Sequence, residues 1–177
     1  VEYPGFTLGP CSFSMKRGEI LAAAGESGSG KTTLARALSR LLEEEAAVAG
    51  EVVIAGSSLY EKKEEEVRRI RMELFSIVFQ NSGEWLNPSM RLREQLRETL
   101  IKKYPAREHR ERMKTLMEMV GLEETDLERY PDQLSGGMAQ KFLLANAMAL
   151  TPEMVILDEP TSSMDVNSRK AFIDLIR

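Results

Sequence analysis

The sequence predicts an α/β fold with a mainly parallel sheet, interrupted by a helical insertion. Three observations predict it. Short apolar runs alternate with helix-period segments along most of the chain. One run stops at a glycine-rich turn that opens a helix. Between about Asn87 and Pro131 the strand signal vanishes while helical periodicity continues. A chain of 177 residues has room for one ordinary domain, or one domain with a subdomain inserted.

The elements follow in order. Ile20 to Ala24 is a short apolar run ended by Gly25, the pattern of a buried parallel strand. Lys31 to Leu42 reads as a helix with Leu34, Ala37, Leu38 and Leu41 on one face. Glu51 to Ala55, flanked by Gly50 and Gly56, reads as one arm of a small antiparallel ribbon. Leu74 to Phe79 and Met154 to Leu157 are further buried strands. Arg91 to Lys103 and Arg107 to Val120 are helical, separated by Tyr104-Pro105, with Gly121 ending the second and another helix over Lys141 to Leu150. On this reading residues 1–86 and 134–177 form a core that carries the antiparallel subdomain, and 87–133 form a helical subdomain.

Composition narrows the function classes. Hydrophobic residues make up 42% of the chain and charged ones 29%, enough to build a core and too apolar for a wholly disordered chain. The balance of 24 basic and 28 acidic residues, net -4, gives no chain-wide basic footprint, so no nucleic-acid partner is expected. One cysteine, Cys11, excludes an internal disulfide, and one histidine, His109, excludes a multi-histidine zinc site. Both favour a reducing, cytoplasmic setting. The longest apolar stretch, Phe142 to Leu150, is about half a membrane span, so membrane work would require holding another protein.

Gly25-Glu26-Ser27-Gly28-Ser29-Gly30-Lys31-Thr32 has the composition of a phosphate-binding loop between strand and helix. Its glycines let successive backbone N–H groups curl toward an anion, and the helix that follows directs its positive end the same way. Lys31 can reach β- and γ-phosphates, and the Thr32 hydroxyl can ligate Mg²⁺. Met154 to Leu157 delivers Asp158 and Glu159 to a sheet edge, Asp158 for the Mg²⁺ shell and Glu159 to orient or deprotonate water. Leu134-Ser135-Gly136-Gly137-Met138-Ala139-Gln140 is a second Ser- and Gly-rich turn opening a helix. One nucleotide rarely needs two such turns, so this one suits the nucleotide of a second subunit.

Taken together these motifs resemble the nucleotide-binding subunit of ATP-binding cassette (ABC) transporters over almost the whole chain. GESGSGKTT resembles the family's Walker A loop, Phe79-Gln80 its Q-loop, LSGGMAQ its signature, MVILDEP its Walker B strand, and Ser162-Ser163-Met164-Asp165 its D-loop. Leu86 to Pro88, the Tyr-Pro before the signature, and SGGM resemble the oligopeptide, dipeptide and nickel importer branch. The resemblance implies a P-loop NTPase, RecA-like core and a head-to-tail dimer that sandwiches ATP and Mg²⁺. It implies that Gly25 through Thr33 bind ATP in cis, that Tyr3 stacks on adenine with Phe6 as the competitor, and that Gln80 touches Mg²⁺ and the attacking water. Ser135, Gly136 and Gly137 would bind the partner's γ-phosphate, and Asp165 of the D-loop would count among the nucleotide-binding residues. The implied partners are a second cassette subunit, a copy or a paralogue, and a permease at the cytoplasmic face of the membrane. Cassette subunits make no contact with the solute.

The sequence also departs from the pattern. Ser163 and Met164 stand where the D-loop usually has Ala and Leu, and Ala139 and Lys141 where Arg is common in this branch. The family's switch histidine would fall beyond Arg177, so the chain is expected to be C-terminally truncated, a partial sequence. His109 is expected to be an exposed surface histidine. Glu43 to Glu45 and Glu64 to Glu66 should be solvated helix ends, and Met113, Met117 and Met119 core packing. Trp85 and Leu86 suit either a groove for a membrane-subunit helix or simple packing. Three functions stay open at this point: an importer's energising subunit, a soluble cassette ATPase of a phosphonate-cleaving type of complex, and an ATP-gated clamp with little turnover.

Overall fold

The computed structural model describes residues 1–79, 85–162 and 164–176. They fall into two compact units, Val1–Phe75 and Ser76–Arg177.

The first unit is built from two hairpins and two helices. Strands β1 (Glu2–Tyr3) and β2 (Phe6–Thr7) pair antiparallel with Tyr3 opposite Phe6, and Glu2 bridges to Ala47 through two backbone hydrogen bonds. Helix α1 spans Lys31–Ser39. It ends earlier than its sequence pattern suggests because Arg40 turns left-handed (φ 53°). The Arg40 N–H then bonds Ala37 O at 3.1 Å and the Leu41 N–H bonds Arg36 O at 2.8 Å, closing the last turn. The buried residues of α1 are Ala35, Ala37 and Ser39, and Leu41 is exposed, which corrects the expected apolar face. Ser39 tolerates full burial because its hydroxyl donates to Ala35 O at 2.9 Å.

Strands β3 (Val53–Ile54) and β4 (Ser57–Ser58) form the expected antiparallel ribbon, and Leu59 N–H to Val52 O extends it. Helix α2, Glu64–Glu73, starts with three solvated glutamates, and the Glu66 carboxylate accepts from the Lys63 N–H. Ile20 to Ala24 is not a strand, which corrects the sequence expectation. Ile20 is 62% and Leu21 51% exposed. A parallel strand is buried only when ladder partners and a covering layer flank it, and no strand of this unit pairs with this run.

The second unit has a helical core. Strand β5, Phe75–Val78, is followed by α3 (Leu92–Leu100), α4 (Ala106–Met119), short 3₁₀ turns at Glu124–Glu128 and Pro131–Gln133, α5 (Gly136–Met148), β6 (Met154–Leu157) and α6 (Val166–Ile176). β5 and β6 are hydrogen-bonded neighbours although three helices separate them in sequence, so the connection is a crossover rather than a hairpin. Leu92, Leu96 and Leu100 form an i, i+4 stripe on α3 that packs with Met113 and Met117 of α4 and Phe142 and Ala145 of α5. Met119 is exposed, unlike the two methionines before it.

His109 is only 6% exposed, a correction to its expected surface position. Its Nε2 lies 2.9 Å from Tyr104 O, and because a carbonyl only accepts, Nε2 must be the donor. That bond offsets the cost of burying the ring. Leu86 is 4% exposed and joins the core, whereas Trp85 is 60% exposed and stacks on Phe79 at 5.4 Å between centroids.

Candidate functional site: a glycine loop and an acid-tipped strand

In the first unit, Ser29 N–H bonds Glu26 O at 3.3 Å and Leu34 N–H bonds Gly30 O at 2.8 Å, so the loop turns directly into α1. Gly28 (φ 81°) and Gly30 (φ 94°) occupy the left-handed region, where a Cβ is costly. A Cβ on Gly30 would also lie 2.8 Å from Leu8 Cδ1 and 3.1 Å from Phe6 Cζ. Phe6 thus packs beside the loop. The first turn of α1 carries no acid, which leaves its positive end uncompensated. The Lys31 ammonium folds back over the loop, donating to Gly25 O at 3.0 Å and Glu26 O at 2.8 Å.

In the second unit, Asp158 follows directly on β6; it is 6% exposed and its N–H donates to Val78 O at 2.9 Å. Glu159 is exposed and left-handed (φ 47°), and its carbonyl accepts from both the N–H (3.1 Å) and hydroxyl (3.0 Å) of Ser162. The strand therefore separates its two carboxylates, one inward and one outward. Gln80 and Ser163 lie outside the described residues.

Ser135 caps α5, its Oγ accepting from Met138 N–H at 3.2 Å, with Gly136 and Gly137 in the first turn. Asp165 caps α6 in the same way, its Oδ1 accepting from the N–H groups of Asn167 (2.9 Å) and Ser168 (3.1 Å). The Ser168 side chain first, then the backbone N–H groups, hold the Asp165 carboxyl below its usual range. Ser135, Gly137 and Lys141 share an open groove of about 310 Å³ with Asn167 and Ser168. The signature turn and the start of α6 are thus brought together within one unit. Sequence reasoning missed Asn167 and Ser168 here; the only local signal was the Asp-x-Asn-Ser pattern of a helix cap.

The acid-free start of α1 and the left-handed glycines before it fit an anion such as a nucleotide phosphate. Among the described residues no group of three or more His, Cys, Asp or Glu could hold a metal alone.

A glycine loop opening a helix and an acid-tipped strand in an α/β chain define the P-loop NTPase class. Within that class the chain belongs to the ABC transporter family, which it matches over residues 8–162. It is 39% identical over 170 residues to the di/tripeptide transport ATP-binding protein DppF of Pseudomonas aeruginosa, covering 95% of this chain and 51% of that protein. It is 36% identical over 168 residues to the oligopeptide transport ATP-binding protein OppD of Lactococcus lactis subsp. cremoris, covering 92% of this chain and 50% of the relative. The chain therefore spans about half the length of these relatives. The fold is that of the cassette MJ0796, solved as a dimer in a post-hydrolysis state bound to ADP and Pi. The TM-score is 0.80 at 30% identity, covering 93% of this chain and 70% of the cassette.

Proposed function

We propose that the chain is the ATP-binding and ATP-hydrolysing subunit of an importer for small solutes of the peptide class. The observation that carries this reading is the Gly25–Thr33 loop, where left-handed glycines, an acid-free helix start and the folded-back Lys31 ammonium together suit a polyphosphate. Family membership and the peptide-transport relatives support the substrate class.

Residue roles follow from chemistry. The loop N–H groups and Lys31 hold the phosphates, and Tyr3 stacks on adenine. Thr32, Asp158 and Gln80 ligate Mg²⁺, which when bound neutralises charge on the transferring phosphate. Glu159, turned outward at the end of β6, orients and deprotonates the attacking water. Ser135, Gly136, Gly137 and Asp165 serve the nucleotide of a second cassette subunit. Residues 1–86 and 134–177 act as the ATPase core and 87–133 as the helical subdomain. The permease is a membrane partner and the subunit sits peripherally on the cytoplasmic side. No helix of the described residues is long and apolar enough to cross a membrane.

Glu159→Gln tests the assignment. It keeps the shape and removes the base, so ATP affinity should match the parent's while phosphate release falls about 100-fold or more. Release at the parent's rate, measured beside a nucleotide titration, would remove Glu159 from the catalytic step.

A further inference from the structure

The far end of α1 is tied down more heavily than a helix terminus requires. Tyr60 Oη donates to Ala37 O at 2.9 Å, a carbonyl that already accepts the Arg40 N–H. The Arg40 guanidinium reaches across to the segment after β4, donating to Leu59 O at 3.1 Å and Lys62 O at 2.6 Å. It also lies over the Tyr60 ring, 5.9 Å from the centroid. Burial raises the Tyr60 phenol pKa, against the Arg40 charge and with the Tyr3 phenol adding to the rise, so Tyr60 remains a donor at neutral pH.

The choice of residue is informative. Arg40 is left-handed at φ 53°, where glycine would end the helix with less strain. An arginine there is worth its strain only if the side chain contributes, and here a single guanidinium nitrogen, Nη1, reaches both the Leu59 and the Lys62 carbonyl.

We propose that Arg40 and Tyr60 are positioning residues for nucleotide binding, a clamp on the C-terminal end of α1 that holds Lys31 and the glycine loop in register with the phosphates. This rests on the nucleotide-binding reading of that loop. Helix α1 is a short rigid rod, and nine residues at 1.5 Å separate the clamp from Lys31 by about 13 Å. A tilt of roughly 5° at the clamp moves the other end by about 1 Å, the scale of misplacement that costs on the order of 100-fold at a reacting centre.

Arg40→Gly separates the clamp from the fold, because glycine keeps the left-handed helix end while the guanidinium is lost. The measurement is Mg-ATP and AMP affinity of the intact protein by fluorescent-nucleotide competition, with stoichiometry and Tm recorded alongside. The expected result is ATP affinity down about tenfold and AMP affinity within about twofold, since the γ- and β-phosphates sense the loop most. Stoichiometry should stay at the parent's value. Tyr60→Phe, which removes one hydroxyl, should give a smaller loss of the same kind and decides the matter if Arg40→Gly does not fold. Unchanged ATP affinity, or ATP and AMP weakened together with lost stoichiometry, overturns the clamp. Lys31→Ala runs in parallel: if it binds ATP like the parent, the loop reading itself fails and the clamp with it. If Lys31→Ala loses ATP and Arg40→Gly does not, the clamp alone is wrong.

Discussion

Asp165 is expected among the nucleotide-binding residues, and in the structure it caps a helix of its own chain. Its carboxylate caps α6 and is held below the usual carboxyl range by the Ser168 hydroxyl first and by backbone N–H groups next. A depressed folded-state pKa stabilises the fold fully above the unfolded value and is lost as pH falls through the folded one. Asn caps nearly as well without titrating. In a Tm series from about pH 7 down to about pH 3, Asp165→Asn should therefore lose less stability than the parent. Parallel curves for the two proteins would show that the charge adds nothing to the cap. His109 lies in the helical insertion, where an exposed histidine is the expectation, yet the Tyr104 carbonyl makes its burial tolerable.

Among elements, the glycine loop and α1 make the sharpest stability contrast. Gly28 and Gly30 are both left-handed, but a Cβ on Gly28 meets nothing within 4 Å whereas one on Gly30 meets Leu8 at 2.8 Å. Gly28→Ala should cost about 1 kcal/mol of backbone strain. Gly30→Ala adds pressure on the tips of Leu8 and Phe6 to the same strain and should cost somewhat more, about 1–2 kcal/mol, in urea unfolding. Equal losses would mean that Leu8 and Phe6 yield freely and do not brace the loop. The run Ile20–Ala24 stands at the opposite pole. Its apolar sequence has strand character, but a strand is completed by its neighbours, and without pairing partners the run is left exposed.

Across the assembled protein, the two helix starts at Lys31 and Ser135 belong to different compact units, and the second is read as serving another chain's nucleotide. If ATP sites are completed only between two chains, hydrolysis depends on protomer concentration. Phosphate release per chain should fall steeply when the protein is diluted below the dimer's dissociation constant. A specific rate that stays constant over such a series would make a single chain competent and overturn the head-to-tail reading.

What could be read from residues alone was local. The phosphate loop, the Ser- and Gly-rich turn that opens α5, the β3–β4 ribbon and the helical period of α3 each depend on neighbours a few positions away, through φ preference and side-chain spacing. Family membership was legible for the same reason, because its motifs are short and ordered. Burial and long-range pairing were not legible. Which face of α1 packs, whether Ile20–Ala24 finds a ladder, and where His109 and Met119 sit all depend on distant segments. The Arg40 clamp is the plainest case: its guanidinium bonds carbonyls 19 and 22 residues away, and nothing within a helical turn of Arg40 announces them. Periodicity reports which residues share a face, and only the packed chain settles what that face meets.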